Sequence, residues 1–174
     1  MQKRPNAVTF KGKPYTLVGP QLKPGDKAPD FECVNSSLEL TSLAATPAKT
    51  RLFSVVPSLD TPVCSLQTKR FDEALASLKD KVACYTISLD MPFAQKRFCT
   101  SENIGNMQTL SDTHDHSFGQ SYGVLIEGLA FPLLSRAVFV VDKGGKITYA
   151  EYVTDVPAHP NYENALSAVR AAAG

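Results

Sequence analysis

A chain of 174 residues, 43% hydrophobic and 20% charged, is long enough to bury a core and is globular rather than disordered. Its 18 Lys and Arg against 17 Asp and Glu leave a formal charge of +1, so no nucleic-acid or anionic-membrane surface follows from net charge. No apolar segment of signal length follows Met1-Gln2-Lys3-Arg4-Pro5, and no apolar run reaches transmembrane length, so the expectation is a cytoplasmic protein without membrane or nucleic-acid partners.

In chain order, residues 7–18 alternate in hydrophobicity around Lys11-Gly12-Lys13-Pro14 and predict a β-hairpin, which makes residues 1–20 an N-terminal extension. Short strands are expected over 31–34 and 38–41. Residues 51–56 form an apolar run of strand length, typical of a sheet covered on both faces. A helix follows from Pro62 to Leu78, with Val63, Leu66, Phe71, Ala74, Leu75 and Leu78 on its expected core face. Val82 to Ser88 is a second buried strand, and Pro92 through Phe98 and Cys99 a short helix. Residues 107–110 read as a short strand and 117–122 as a helical turn. Ala137 to Val141 and Ile147 to Val153 form a hairpin around Asp142-Lys143-Gly144-Gly145-Lys146. Asn161 to Ala173 is a final helix. The order predicts an α/β, thioredoxin-like fold, a central mixed sheet flanked by helices, in a single domain over 1–174. No repeat or linker divides the chain.

Four cysteines lie at 33, 64, 84 and 99. None forms a C-x-x-C pair, and their intervals do not suit a secreted disulfide framework. Cys64 stands at a strand-to-helix turn. Thr61 is a good N-cap and Pro62 a good first helical residue, so Cys64 falls at the third helical position. There the Thr61 hydroxyl is expected to reach the Cys64 backbone N–H, and the free amides and macrodipole favour a thiolate. The alternative is a helix start with an incidental buried cysteine. His114-Asp115-His116, near Asp112, allows a metal cluster, but a solvated loop is the better reading and no metal or other cofactor is expected.

Pro57-x-x-x-Thr61-x-x-Cys64 resembles the peroxiredoxin active-site motif, and Ser58-x-Asp60-Thr61-x-Val63-Cys64 its thiol peroxidase, atypical two-cysteine branch. Gly25-Asp26-x-Ala28-Pro29-Asp30-Phe31 is similar to the entry segment of that family. Asp90-Met91-Pro92-Phe93-Ala94-Gln95-Lys96-Arg97-Phe98-Cys99 resembles the branch's second-cysteine helix. Tyr122-Gly123-Val124, Arg136-Ala137-Val138 and Tyr152-Val153 to Pro160-x-Tyr162 also fit.

The resemblance implies a thioredoxin-dependent peroxidase acting on hydrogen peroxide and organic hydroperoxides. Cys64 would be the nucleophile that becomes a sulfenic acid, and Cys99 the resolving thiol that closes an intramolecular disulfide for thioredoxin to reopen. Thr61 would hold the peroxide, Pro57 shield the thiolate, and Arg136 supply the cation, although by its position alone Arg136 could equally be a strand-start residue facing solvent. A homodimer is implied as well. Cys33 and Cys84 lie outside both motifs and read as small hydrophobes in strands. Two rival classes remain: a Cys–His hydrolase using Cys64 and one of the three histidines, and a non-catalytic redox sensor or chaperone.

Overall fold

The computed structural model describes all 174 residues. The N-terminal hairpin pairs β1 (Lys3–Phe10) with β2 (Lys13–Val18). Lys11 and Gly12 form its two-residue turn with φ of 52° and 74°, the left-handed geometry that matches the twist of hairpin strands. Two short strands, β3 (Cys33–Asn35) and β4 (Leu40–Thr41), precede β5 (Thr50–Val55). Helix α1 (Pro62–Leu75) leads through a 3-10 turn at Ala76–Leu78 into β6 (Val82–Ser88). Helix α2 (Pro92–Ser101) then leads into β7 (Met107–Ser111), and β5, β6 and β7 lie parallel.

The rest of the chain comprises α3 (Ser117–Ser121), β8 (Leu125–Glu127), β9 (Leu133–Leu134), β10 (Ala137–Val141), β11 (Ile147–Tyr152) and α4 (Tyr162–Ala173). The main sheet has seven strands in the order β11-β10-β5-β6-β7-β3-β4. Its edges are antiparallel, so the mixed thioredoxin-like sheet expected from the element order is present.

Every residue of β5, β6 and β10 is buried, the polar Thr50, Arg51, Ser54, Thr86 and Ser88 among them, so the sheet is covered on both faces as expected. Alternation divides them between two faces. Phe53, Val55, Ala137 and Phe139 pack with Phe31, Phe118 and Tyr122 on one side. Leu52, Val138 and Val140 pack with Phe71 and Leu75 of α1 and with Tyr162, Ala165 and Val169 of α4 on the other. Helix α4 begins where expected, with the Asn161 carbonyl oxygen of the side chain accepting from Asn164 N at 3.0 Å.

Beyond shifts at element ends, such as α1 stopping at Leu75 and short strands at Cys33–Asn35 and Leu40–Thr41, two features of the fold depart from the sequence reading. Strands β8 and β9 were not expected, because three and two residues are too short for periodicity to register. They join the hairpin in a second sheet, ordered β1-β2-β8-β9, which delivers the segment before Arg136 to the main sheet. Gly123, with φ of 68°, makes this junction close-packed: a Cβ there would overlap the Pro20 carbonyl. The second departure is the face of α1. Cys64, Gln67, Thr68, Phe71, Asp72 and Leu75 are buried, whereas Leu66 is 48% exposed. Polar groups with internal partners occupy positions that an apolar count assigns to solvent.

Candidate active site

Beyond β5, Val56 and Pro57 remain buried and the chain turns outward over Ser58–Asp60. Thr61 takes an extended conformation, φ −108° and ψ 149°, and Pro62 opens the helix, so Cys64 is the third helical residue as the sequence predicts. The capping bond is different. Thr61 Oγ1 donates to Ser58 O at 2.8 Å and makes no bond to a helix amide. The hydroxyl has turned back to close the Ser58–Thr61 turn, where Thr61 N also donates to Ser58 O at 3.1 Å. The first-turn amides therefore keep no side-chain cap and remain available at the positive end of the helix.

Arg136 reaches this turn from the start of β10. It is 2% exposed, so it is not a solvent-facing strand residue. Its Nε donates to Val156 O at 3.1 Å, Nη1 to Gln67 Oε1 at 2.9 Å, and Nη2 to Cys64 Sγ at 3.3 Å. Gln67 is fixed in turn, its Nε2 donating to Ser54 Oγ of β5 at 2.7 Å. Arg136 forms no ion pair with a carboxylate. A buried cation requires a compensating negative charge. Of its three hydrogen-bond acceptors, only the Cys64 sulfur is ionisable.

Cys64 itself has no exposed surface. Next to it lies a pocket of about 280 Å3, walled by Pro57, Thr61, Val63, Phe131, Leu133 and Arg136. The fold therefore brings Cys64, Arg136, Thr61 and Pro57 to one place. Cys99 is elsewhere. It is half-buried on α2, unbonded to any other cysteine, and lines a separate pocket with Lys96, Ile104 and Met107. Burial, then the Asp72 carboxylate, pushes its thiol above the ordinary range. Its neighbour Phe98, by contrast, packs against Val56, Leu59 and Cys64.

Sequence reasoning missed two supports. Gln67, one helical turn after Cys64, looks like a surface residue until Arg136 is placed beside it. Asp90 binds the Cys64 loop to the start of α2: its carboxylate accepts from Ser58 Oγ at 2.7 Å, Leu59 N at 2.8 Å and Ser88 Oγ at 2.7 Å. The signal available was its place at the head of the second-cysteine motif.

The remaining candidates are distributed as follows. Cys33 and Cys84 are buried in strands. Burial and the adjacent Asp112 push the Cys33 thiol far up, and burial followed by Asp72 pushes Cys84 up to about 12. No histidine bonds to Cys64; His159 Nδ1 pairs instead with Tyr162 OH at 2.7 Å. That leaves the hydrolase reading without its base. His114 and Asp115 meet Glu32, not His116, and all three donors are exposed.

Comparison with known proteins gives a consistent result. The redoxin family profile matches residues 23–166. The thiol peroxidase of Bacillus subtilis is 52% identical over 164 residues, spanning 94% of this chain and 96% of that protein. The thiol peroxidase of Clostridium acetobutylicum is 52% identical over 95% of this chain and 98% of its own length. Among solved structures, a peroxiredoxin-like protein from Aquifex aeolicus superposes with a TM-score of 0.88 at 41% identity, covering 95% of this chain and 96% of that one. The chain belongs to the redoxin family and, within it, to the thiol peroxidase branch of the peroxiredoxins, the thiol-dependent peroxidases.

Proposed function

We propose that Cys64 is the peroxide-reducing cysteine of a single-domain enzyme, and that Arg136 holds it as the thiolate. The observation that carries this is the Arg136 Nη2–Cys64 Sγ contact of 3.3 Å in a buried site with no carboxylate. The thiolate attacks the distal oxygen of a hydroperoxide, and the O–O bond breaks. Cys64 becomes a sulfenic acid, and the departing alkoxide or hydroxide takes a proton to leave as alcohol or water. Arg136 and the uncapped first-turn amides meet the charge that moves onto oxygen. Thr61 orients the peroxide and Pro57 keeps water from the sulfur. The apolar pocket walls, Val63, Phe131 and Leu133, support organic hydroperoxides as substrates alongside hydrogen peroxide.

Cys99 then attacks the sulfenic sulfur, water leaves, and a Cys64–Cys99 disulfide forms. Thioredoxin, as a dithiol, reduces it and is itself oxidised. A disulfide needs Cα atoms within about 7 Å and Cβ vectors that face one another. Cys99 lines a pocket separate from the one beside the buried Cys64, so the first turn of α1 or the end of α2 unwinds between the two steps. Short helix ends without side-chain caps open at low cost; the first turn of α1 lacks such a cap, whereas Ser101 Oγ donates to Phe98 O at 3.2 Å at the end of α2. The enzyme works as a homodimer in the cytoplasm, as the family resemblance implies. No helix is long and apolar enough to cross a membrane.

Steady-state peroxide consumption with thioredoxin tests this reading. Sustained turnover with a Cys64–Cys99 bond in peptide maps is expected. A hydrolase consumes no peroxide, and a redox sensor stalls after one equivalent.

A further inference from the structure

Arg51 stands at the end of β5 remote from the Cys64 turn. It is 6% exposed, and what is exposed opens into a pocket of about 540 Å3. Its Nε donates to Thr46 Oγ1 at 2.8 Å and its Nη1 to Asp142 O at 3.1 Å, both uncharged acceptors. Nη2 has no protein acceptor, and Arg51 forms no ion pair. Lys27 and Lys143 line the same pocket and are likewise unpaired.

The nearby carboxylates each accept backbone amides through one oxygen, and neither pairs with Arg51, Lys27 or Lys143. Asp142 Oδ1 accepts from the Gly144 and Lys146 amides, each at 2.9 Å. Asp30, the one acidic residue in the lining, accepts from Phe31 N and Leu43 N, each at 2.9 Å. The walls are also rigid: Ala28 N donates to Gly145 O at 2.9 Å, and Ile147 N to Asp26 O at 2.9 Å. Three cations from three separate segments therefore converge on a preformed cavity containing one carboxylate. A buried guanidinium with a free donor edge and no counter-charge is costly unless an anion completes it.

We propose that this pocket binds a phosphate group, either as inorganic phosphate or on a small phosphorylated molecule. The planar fork of Arg51 suits two oxygens of a tetrahedral anion, and the flexible ammonium groups of Lys27 and Lys143 reach the others. The volume exceeds that of a bare phosphate, and Ala28, Pro29 and Leu43 offer an apolar wall for an organic portion.

The test is an NMR titration of the reduced protein at constant ionic strength with inorganic phosphate, phenyl phosphate and, as control, chloride. Saturable shifts of the Gly144 and Gly145 amides are expected with both phosphates and not with chloride. Tighter binding of phenyl phosphate assigns the apolar wall to an organic substituent, and equal binding assigns the site to inorganic phosphate. Lys27→Gln combined with Lys143→Gln, two surface changes that spare the buried Arg51, should weaken binding by about tenfold for each lost charge-assisted contact. The peroxidase rate of that variant should not change. A response that does not saturate, that chloride reproduces, or that survives in the double variant overturns the proposal.

Discussion

Cys64 and Cys33 are both fully buried and both bonded to one charged side chain, and the signs of those charges are opposite. Arg136 Nη2 approaches the Cys64 sulfur to 3.3 Å, whereas the Cys33 sulfur donates to Asp112 Oδ1 at 3.6 Å. Desolvation opposes an anion at a buried thiol. The partner decides the outcome. On the proposed reading the guanidinium beside Cys64 favours a thiolate, whereas burial and the Asp112 carboxylate keep the Cys33 thiol protonated. Burial alone therefore says nothing about a cysteine's chemistry.

The largest expected effect follows directly. Cys64→Ser should reduce peroxide consumption to background, because a hydroxyl cannot supply the nucleophile. Cys33→Ser should leave the rate within about twofold, its cost appearing in stability instead. Significant activity in Cys64→Ser would move the chemistry to another cysteine and erase the contrast.

Arg136→Lys should lower the peroxidase rate by on the order of a hundredfold even though it keeps a charge. An ammonium cannot bond Val156 O, Gln67 and the sulfur together. In Arg136→Ala, the pH at which Cys64 begins to react with peroxide should move upward. A pH–rate profile unchanged from wild type would reduce Arg136 to packing.

Thr61→Val should cost about tenfold in rate and under about 1 kcal/mol in stability. The hydroxyl closes an exposed turn rather than capping α1, so its loss should leave the helix largely intact. Equal losses in rate and helicity would restore the capping role.

The last expected effect is on stability rather than rate, at the other half of the comparison. Burial raises the Asp112 carboxyl to about 6, against the pull of the Gly119 and Phe118 amides. The folded state thus holds its proton more tightly than the unfolded chain does. The stabilisation is fully present below about pH 4 and is lost as pH rises to about 6, by on the order of 3 kcal/mol. Asp112→Asn should flatten that part of the stability–pH curve in urea denaturation. A curve parallel to wild type would mean that Asp112 ionises normally.

What the sequence disclosed depended on how long each signal was. The runs at Val82–Ser88 and Ala137–Val141 are buried on both faces, and their apolar character survives any register. The turn around Cys64 was legible because Thr61, Pro62 and the helix following them fix one register. Strands β8 and β9 were not, since they exist only because the hairpin offers them an edge. Nor could the sequence orient hydroxyls or amides. Thr61 turned toward Ser58, and Gln67 turned inward to Arg136, because an adjacent turn in one case and a partner 69 residues away in the other offered better bonds. The convergence of Arg51, Lys27 and Lys143 was similarly invisible, as each comes from a different segment.

The most direct test of the account is a rapid-mixing experiment on Cys99→Ser, with and without Arg136→Ala, followed by mass mapping of every cysteine. One equivalent of peroxide should convert Cys64, and neither Cys33 nor Cys84, to sulfenic acid, and Arg136→Ala should slow that step by on the order of a hundredfold. Oxidation at Cys33 in place of Cys64, or an undiminished rate without Arg136, would contradict the claim that the buried guanidinium makes Cys64 the reactive thiol.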